Sequence, residues 1–249
     1  MKKEIYLPII GIAAGELMLF FGEVNLGMAI HIINLQVMTL FLIYSSSAAG
    51  IKNALQSLSL LLLMRIVNLA MPQFFTVPLL LYPFIYGVML IPVYLIIKNQ
   101  QISLKEIGIN FRRMYIYMPA AFLIGSAAAL IEYRILNPAP LIENTSLSNL
   151  ILIATVMFVF VAGVEELIFR SILQTRLEKV AGLKYAVLLS GIMFGIMHAG
   201  YGILNEILFA SIFGIFLGYI FQKTENLPFI IAIHGTANVF LFGLLPFII

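Results

Sequence analysis

The chain contains no cysteine and no aspartate, and only 10% of its residues are charged. The absence of cysteine excludes disulfides, a thiolate nucleophile and thiolate metal ligands. Because all 11 acidic residues are glutamate, an aspartyl protease is excluded as well. Hydrophobic residues make up 62% of the chain, whereas soluble domains are about 45–50% apolar and about 25% charged. The composition therefore predicts a membrane protein.

Apolar stretches recur along the chain at a length that crosses a bilayer as a helix, about 17–25 residues. They predict an all-α polytopic transmembrane helical bundle of about eight or nine spans, forming a single domain over residues 1–249. The predicted spans are 6–22, 25–46, 54–70, 77–97, 115–132, 148–172, 185–200, 203–221 and 228–248. The seventh span is short and is followed by a Gly-rich break, which leaves a count of eight open. A Ser103-x-x-Glu106 capping box predicts a short interfacial helix within 98–114.

Lysine and arginine are distributed unequally between the predicted loops, and this asymmetry sets the orientation of a membrane protein. With nine spans and the N-terminus in the cytoplasm, Arg134 alone among the loop cations faces outside. The predicted cytoplasmic cations are Lys2, Lys3, Lys52, Lys98, Lys105, Arg112, Arg113, Arg176, Lys179, Lys184 and Lys223. This placement accounts for the isoelectric point near 9.1 without a nucleic-acid partner. We expect membrane lipid and a membrane-associated peptide as partners instead.

Ionisable and amide side chains occur inside three of the last four predicted spans, where they mark functional sites by default. At i, i+4 spacing the sequence has Glu166 with Arg170, Phe194 with His198, and His234 with Asn238; Glu165 adjoins the first pair. Each set also has a structural interpretation, as an ion pair at a helix end or as interhelical hydrogen bonds of histidine. Because buried polar groups need partners, we expect these residues to converge on one pocket.

Elimination narrows the chemistry of such a pocket. The chain has no HExxH metalloprotease motif, and the nearest match to a Gly-x-Ser-Gly serine motif, at Ser190-Gly191, lacks the first glycine. A glutamate that activates water remains, with imidazole and amide groups to polarise a carbonyl. A catalytic zinc held by Glu165, His198 and His234 is the alternative, since Glu plus two His is a known ligand set.

The three motifs Glu165-Glu166-x-x-x-Arg170, Phe194-x-x-x-His198 and His234-x-x-x-Asn238 together resemble the signature of the CPBP (Abi) family. This family comprises CAAX prenyl endopeptidases and bacteriocin-processing or immunity proteins. The resemblance covers the region about 148–249 and implies a glutamic-type intramembrane endopeptidase whose site opens towards the cytoplasm. It implies cleavage near the C-terminus of a prenylated CAAX-type protein, with no cofactor.

The resemblance also assigns a role to each motif residue. Glu165 would be the general base that activates water, assisted by His198, while His234 and Asn238 would form the oxyanion hole. The supporting residues would be Glu166, Arg170 and Phe194.

Two other classes of protein compete with the protease. The first is a non-catalytic immunity or scaffold protein of the same family, and the second is a proton-coupled transporter that uses Glu165, His198 and His234 as a relay. Among the other intramembrane polar residues, equal depth predicts an ion pair between Glu16 and Arg65. We expect His31 and Asn34 to make interhelical hydrogen bonds, and Glu206 to lie near an outer helix end in reach of water.

Overall fold

The computed structural model describes residues 3–70 and 78–249, and every regular element in these ranges is helical. In chain order the elements are α1 (Lys3–Phe20), α2 (Val24–Tyr44), α3 (Ala49–Ala70), α4 (Pro78–Asn99), α5 (Leu104–Ile107), α6 (Met114–Leu136), α7 (Leu147–Ala181), α8 (Leu183–Ile196), α9 (Leu204–Thr224) and α10 (Leu227–Ile248), with a 3-10 turn at Ala199–Tyr201. The predicted all-α bundle is confirmed.

Eight of the helices in the described ranges are long and apolar enough to cross a membrane, so the protein is an integral, multi-pass membrane protein. The two helices that fall short are α5, which has only four residues, and α1, whose 18 residues include Lys3, Glu4 and Glu16. The predicted short seventh span meets the criteria as Leu183–Tyr201. The count of eight therefore arises from the charges in α1 and not from the Gly-rich break.

Helices α1 and α2 form an antiparallel hairpin whose close approach depends on glycine. A Cβ atom on Gly15 would lie 2.6 Å from the His31 ring, and one on Gly11 would lie 2.5 Å from the Asn34 amide. Small residues of this kind let membrane helices approach closely. The amide of Asn34 donates a hydrogen bond to the Pro8 carbonyl at 2.9 Å, which confirms the expected interhelical bond of this residue.

Polar contacts join several helix ends on the side of the bundle that carries most lysines and arginines, which we call the basic face. Gln100, just after α4, donates to the Asn53 carbonyl at 3.2 Å and accepts from Arg176 Nε at 2.6 Å. The predicted capping box at Ser103 is present at the start of α5. Its Glu106 lies 3.3 Å from Lys179. The ends of α4 and α7 and the start of α3 therefore lie together at the basic face.

The remaining helix ends form the opposite face. The start of α4 follows the end of α3 after the short stretch 71–77, and the guanidinium of Arg65 near the end of α3 donates to the carbonyl of Met197, just after α8. The backbone N–H of Leu141, in the α6–α7 loop, donates to Phe242 O in the last part of α10 at 2.9 Å. Helices α3, α4 and α7 thus each run from one face to the other.

Helix α7 is not uniformly α-helical around its two glutamates. The single α-helical turn Gly163–Glu166 lies between two π-helical segments, Val156–Ala162 and Leu167–Gln174. A π turn widens the helix and redirects the side chains that follow it, and such turns are frequent at functional sites. The geometry of the glutamate pair is therefore set by an irregular helix that spacing along the sequence does not reveal.

Candidate active site

Glu166, Arg170 and His234 form a buried network at the centre of the bundle. The Arg170 guanidinium lies 3.1 Å from one carboxylate oxygen of Glu166, with both side chains fully buried. The other carboxylate oxygen of Glu166 lies 2.7 Å from Nδ1 of His234. Because a carboxylate only accepts, Nδ1 of His234 carries a proton in this contact. The predicted neighbours Glu166 and Arg170 thus orient the histidine of the third motif.

Two phenylalanine rings hold the cation and the imidazole of this network in place. The Arg170 guanidinium carbon lies 4.6 Å from the Phe194 ring centre, and the edge of that ring meets His234 at 5.6 Å. Phe213, on α9, contacts the His234 ring at 6.0 Å in a similar edge-to-face geometry. Sequence spacing indicated Phe194 but gave no signal for Phe213, since phenylalanine is common throughout the spans.

Glu165 turns away from Arg170, as its position one residue before Glu166 requires. One of its carboxylate oxygens accepts a hydrogen bond from the hydroxyl of Tyr86 on α4. The other lies 3.7 Å from Nε2 of His234. The residue is 7% exposed and lines a cavity inside the bundle. Glu165 therefore has one oxygen fixed by tyrosine and the other beside an imidazole.

His198 lines the same cavity as Glu165, just beyond the end of α8. Its Nδ1 lies 2.8 Å from the carbonyl of Phe194, which can only accept, so this nitrogen carries the proton of the neutral ring. Nε2 then keeps its lone pair for other partners. The ring is stacked against Tyr201 at 6.2 Å.

The cavity has a volume of about 330 Å³ and receives its wall from both halves of the chain. The N-terminal helices contribute Met64, Arg65, Asn68, Leu69, Leu81, Tyr82, Ile85 and Tyr86; α7 and the α8–α9 segment contribute Glu165, Phe169, Phe194, Met197, His198, Gly200 and Tyr201. His234 and Asn238 are not part of this lining, although both are nearly buried, at 5% and 8% exposure. The structure thus brings Glu165 and His198 to one cavity and places His234 behind Glu165. Asn238 lies one helical turn beyond His234, and its oxyanion role stays a prediction.

The predicted pair of Glu16 and Arg65 is confirmed as a bidentate ion pair. The Arg65 Nε and Nη2 atoms donate to the two carboxylate oxygens of Glu16 at 2.7 and 2.8 Å. His31 is fully buried, and its Nε2 lies 3.3 Å from the same carboxylate. Arg65 also lines the cavity, which the sequence-based prediction of an ion pair with Glu16 did not indicate. Tyr86 could not be found from the sequence either, because an isolated tyrosine in an apolar span has no distinguishing pattern.

The prediction that water solvates Glu206 near a helix end is wrong. The residue is fully buried rather than solvated, and its carboxyl faces that of Glu132 on α6. The expectation was wrong because α9 packs against α6 at this level, which covers the helix end.

The contacts of Glu165, His198 and His234 bear on the zinc alternative. Within residues 3–70 and 78–249, no group of three or more His and Glu side chains is arranged to hold a metal. Glu165 accepts from Tyr86 through one carboxylate oxygen, and Nδ1 of His234 is engaged by Glu166. The other Glu165 oxygen and the Nε2 atoms of His234 and His198 are not used in these contacts and are the atoms that would bind a metal. Zinc therefore stays an alternative that a chelator can test.

Comparison with known proteins identifies the region that carries these motifs. Residues 147–240 match the family model described as Type II CAAX prenyl endopeptidase Rce1-like. This is a protease family, and the similarity, which covers less than half of the chain, supports a hydrolase. The comparisons found no curated protein and no solved structure that matches the chain. The resemblance seen in the three motifs is confirmed.

Proposed function

We propose that the protein is an intramembrane endopeptidase in which Glu165 activates a water molecule for attack on a peptide carbonyl. The observation that carries this proposal is the position of the Glu165 carboxylate, which lies at a cavity wall between the Tyr86 hydroxyl and His234. A carboxylate within hydrogen-bond reach of a bound water molecule can act as a general base and take a proton from it. Glu166, Arg170 and Phe194 support this site by orienting His234.

In the first step Glu165 accepts a proton from water as the oxygen adds to the carbonyl carbon, giving a tetrahedral oxyanion. His198 assists by accepting a hydrogen bond from the water through Nε2, since its Nδ1 is engaged by Phe194 O. His234 and Asn238 would stabilise the oxyanion, and fixed donors of this kind contribute about 3–4 kcal/mol each.

The hydrogen bond of His234 to Glu166 limits how His234 can stabilise the oxyanion in the first step. With Nδ1–H donated to Glu166, Nε2 can donate to an oxyanion only when the ring carries a second proton. Two carboxylates, Glu165 and Glu166, flank the ring, and Arg170 pairs with Glu166.

In the second step the oxyanion re-forms a carbonyl group as the carbon–nitrogen bond breaks, and the oxygen that came from water makes this carbon a carboxyl group. The leaving nitrogen takes the proton that Glu165 removed from water, so Glu165 returns as a carboxylate. The products are two peptide fragments, and no electron donor or acceptor is needed.

The substrate class we propose to test first is a prenylated CAAX-type peptide, because the matched family model is described by this activity. A peptide carrying a prenyl chain would partition into the surrounding lipid, and membrane lipid is the other partner we propose. No cofactor enters the proposed reaction.

The test is cleavage of a farnesylated CAAX-type reporter peptide by purified protein in detergent. Glu165→Gln keeps the shape of the side chain and removes the base, so the rate should fall by about 100-fold or more. The matched control is Glu143→Gln, the same exchange at an exposed loop position.

A third arm adds a zinc chelator. Cleavage by wild type and the control, loss in the Glu165 variant and indifference to chelator would support the proposal. Loss of activity on chelation would favour the zinc alternative. Equal cleavage by wild type and Glu165→Gln would overturn Glu165 as the base. Lack of cleavage of any peptide in a membrane-derived library would favour the non-catalytic protein.

A further inference from the structure

The segment between α4 and α6, residues 100–113, exposes large apolar side chains although it lies outside the helices that can cross the membrane. Leu104 is 68% exposed, Phe111 is 70% exposed, and Ile109 is exposed as well. Tyr115 continues this surface at the start of α6 with 79% of its area exposed. Apolar area of this size gains free energy when it leaves water. Residues 100–115, which we call the interfacial segment, therefore favour contact with an apolar medium.

The interfacial segment is fixed to the bundle on its other side. Ile102 and Ile107 are buried in the core, and the Ile107 carbonyl accepts a hydrogen bond from the Ser171 hydroxyl on α7. The carbonyl of Gly108 accepts from the backbone N–H of Leu227, at the start of α10, at 2.8 Å. Because these contacts fix the backbone, they hold the exposed apolar side chains away from the core.

Three cations lie beside the exposed apolar side chains. Lys105, Arg112 and Arg113 are exposed, and none of them makes a salt bridge within residues 3–70 and 78–249. The neighbouring carboxylate of Glu106 is engaged by Lys179 at 3.3 Å and by Arg176 at 3.5 Å. The charges of the three cations are therefore left for a partner outside the described part of the chain.

One further carboxylate lies near these cations. Glu225 is exposed and adjoins Asn226, whose amide donates to the Arg112 carbonyl at 3.5 Å. Three cations and one carboxylate still leave the surface with a net positive charge. Basic residues at a membrane surface attract anionic lipids, and each Lys or Arg strengthens this attraction by about fivefold in affinity.

The position of the segment between two spans identifies the medium that both kinds of side chain meet. Helix α4 ends at Asn99 and α6 begins at Met114, so the segment lies where the hydrocarbon gives way to lipid headgroups. Segments in this layer place basic residues among the headgroups and apolar or aromatic residues in the acyl boundary. Phosphatidylcholine has no net charge, whereas an anionic phospholipid neutralises the excess of cations.

We propose that the interfacial segment is a binding site for anionic phospholipid. Lys105, Arg112 and Arg113 contact the headgroup phosphates, while the exposed apolar side chains lie against acyl chains of the same leaflet. The bound lipid stabilises the helices to which the segment is bonded, α7 with Glu165 and α10 with His234, because a ligand that binds only the folded protein adds to its stability.

The chain has no tryptophan, so a single introduced tryptophan reports the lipid around one position. Phe111→Trp places this fluorophore in the interfacial segment. Leu147→Trp is the matched control, since Leu147 is also exposed at the end of a span, but no lysine or arginine occurs between residues 135 and 169. Each variant is reconstituted into phosphatidylcholine vesicles that contain a small fraction of brominated phosphatidylglycerol or, separately, of brominated phosphatidylcholine. Brominated acyl chains quench tryptophan on contact.

We expect brominated phosphatidylglycerol to quench the Phe111→Trp variant with an apparent affinity at least about fivefold higher than that of brominated phosphatidylcholine. The two lipids should quench the Leu147→Trp variant equally. Lys105→Gln/Arg112→Gln/Arg113→Gln, added to Phe111→Trp, should remove the preference. Arg134→Gln, which removes an exposed cation at the far end of α6, should leave the preference unchanged.

Three results would overturn the proposal. If neither lipid quenches the Phe111→Trp variant, the segment faces water and the proposal is wrong. Equal quenching by the two lipids would show that the segment has no preference for anionic lipid. A preference that persists after the three cations are replaced would show that they do not form the site.

Thermal unfolding supplies a second readout that needs no tryptophan. Replacement of phosphatidylcholine by phosphatidylglycerol should raise the unfolding temperature of wild type more than that of the triple glutamine variant. Equal shifts of the two proteins would contradict a stabilising lipid site at this segment. Neither measurement uses peptide cleavage, so the outcome is independent of the proposed endopeptidase activity.

Discussion

The helices matched by the family model and the helices before them build the same cavity by different means. The matched region, 147–240, supplies charged and imidazole groups at regular spacing. The N-terminal helices α1–α4 lie outside the match, yet they supply Tyr86, which bonds Glu165, and Arg65, which bonds the carbonyl next to His198. The candidate reactive groups therefore come from one region, and part of their positioning comes from the other.

Each region also contains one buried arginine–glutamate pair, and the two pairs differ in their surroundings. Glu166 of the first pair contacts His234 directly, whereas Glu16 of the second pair contacts His31, which is not part of the cavity lining. We infer that the first pair serves the reaction and the second serves mainly the packing of α1, α2 and α3. This difference can be tested with matched substitutions.

The largest effect is expected from Arg170→Met, which leaves Glu166 buried without its cation. Breaking a buried ion pair from one side costs about 3–5 kcal/mol. We expect the free energy of unfolding in detergent to fall by this amount, with cleavage lost. Arg65→Met should cost a similar free energy in the other region.

Double substitutions distinguish a loss of stability from a loss of catalysis. When both charges of a pair are removed, no buried charge is left without a partner. Glu166→Gln/Arg170→Met should regain much of the stability without activity, whereas Glu16→Gln/Arg65→Met should regain stability and keep activity within about tenfold. Equal activity of the two double variants would remove the distinction between the pairs.

An intermediate effect is expected from Tyr86→Phe, which removes the hydroxyl bonded to Glu165 and keeps the ring. Hydrogen bonds to charged groups contribute about 1.5–3 kcal/mol, equivalent to about 10–150-fold in rate. We expect kcat to fall by this factor with KM little changed, since the substrate would not touch this hydroxyl. Tyr82→Phe, in the same cavity wall, is the control and should retain kcat; equal losses in both variants would argue against a special role of Tyr86.

A smaller effect is expected from Gly195→Ala, at the contact of α8 with α9. The added Cβ would lie 2.5 Å from the Ile207 carbonyl oxygen, and overpacking of this kind costs about 1–3 kcal/mol. Thermal unfolding should report the loss. Gly200→Ala, whose Cβ would find its nearest neighbour, Arg65 Nη1, at an ordinary 3.7 Å, should leave the unfolding temperature nearly unchanged.

The smallest effect is expected at Glu106, outside the spans. The backbone N–H of Ser103, with further help from Lys179 and Arg176, holds the pKa of the Glu106 carboxyl below its usual value. A lowered pKa means that the stabilisation is present above the unfolded pKa, about 4.3, and is lost as pH falls through the folded value. Since the group is largely exposed, Glu106→Gln should cost only a few tenths of a kcal/mol at pH 7. The difference between wild type and variant in unfolding temperature should shrink towards pH 3; a difference that persists there would contradict this charge effect.

Much of the site was accessible to sequence reasoning because its residues belong to a few spans at helical spacing. The i, i+4 relation placed Arg170 beside Glu166, and the offset of one residue turned Glu165 away from that pair. The solvation of Glu206 was predicted wrongly, because distance from a helix end does not show which neighbouring helix covers that end. The π segments around Glu165 were not predicted, since local sequence does not encode which turn widens under packing.

The sequence by itself determined that this is a helical membrane protein, where its cations lie along the chain, and which polar residues its spans must bury. These properties follow from the free-energy cost of placing charges and unpaired backbone groups in lipid. Each segment avoids most of this cost by itself, because a helix of apolar residues forms its backbone hydrogen bonds internally. The tertiary structure decided which helices meet around Glu165, and that Tyr86 and Arg65 line the same cavity from the part of the chain outside the family match. Those outcomes depend on contacts between segments far apart in the chain, which periodicity within one helix does not specify.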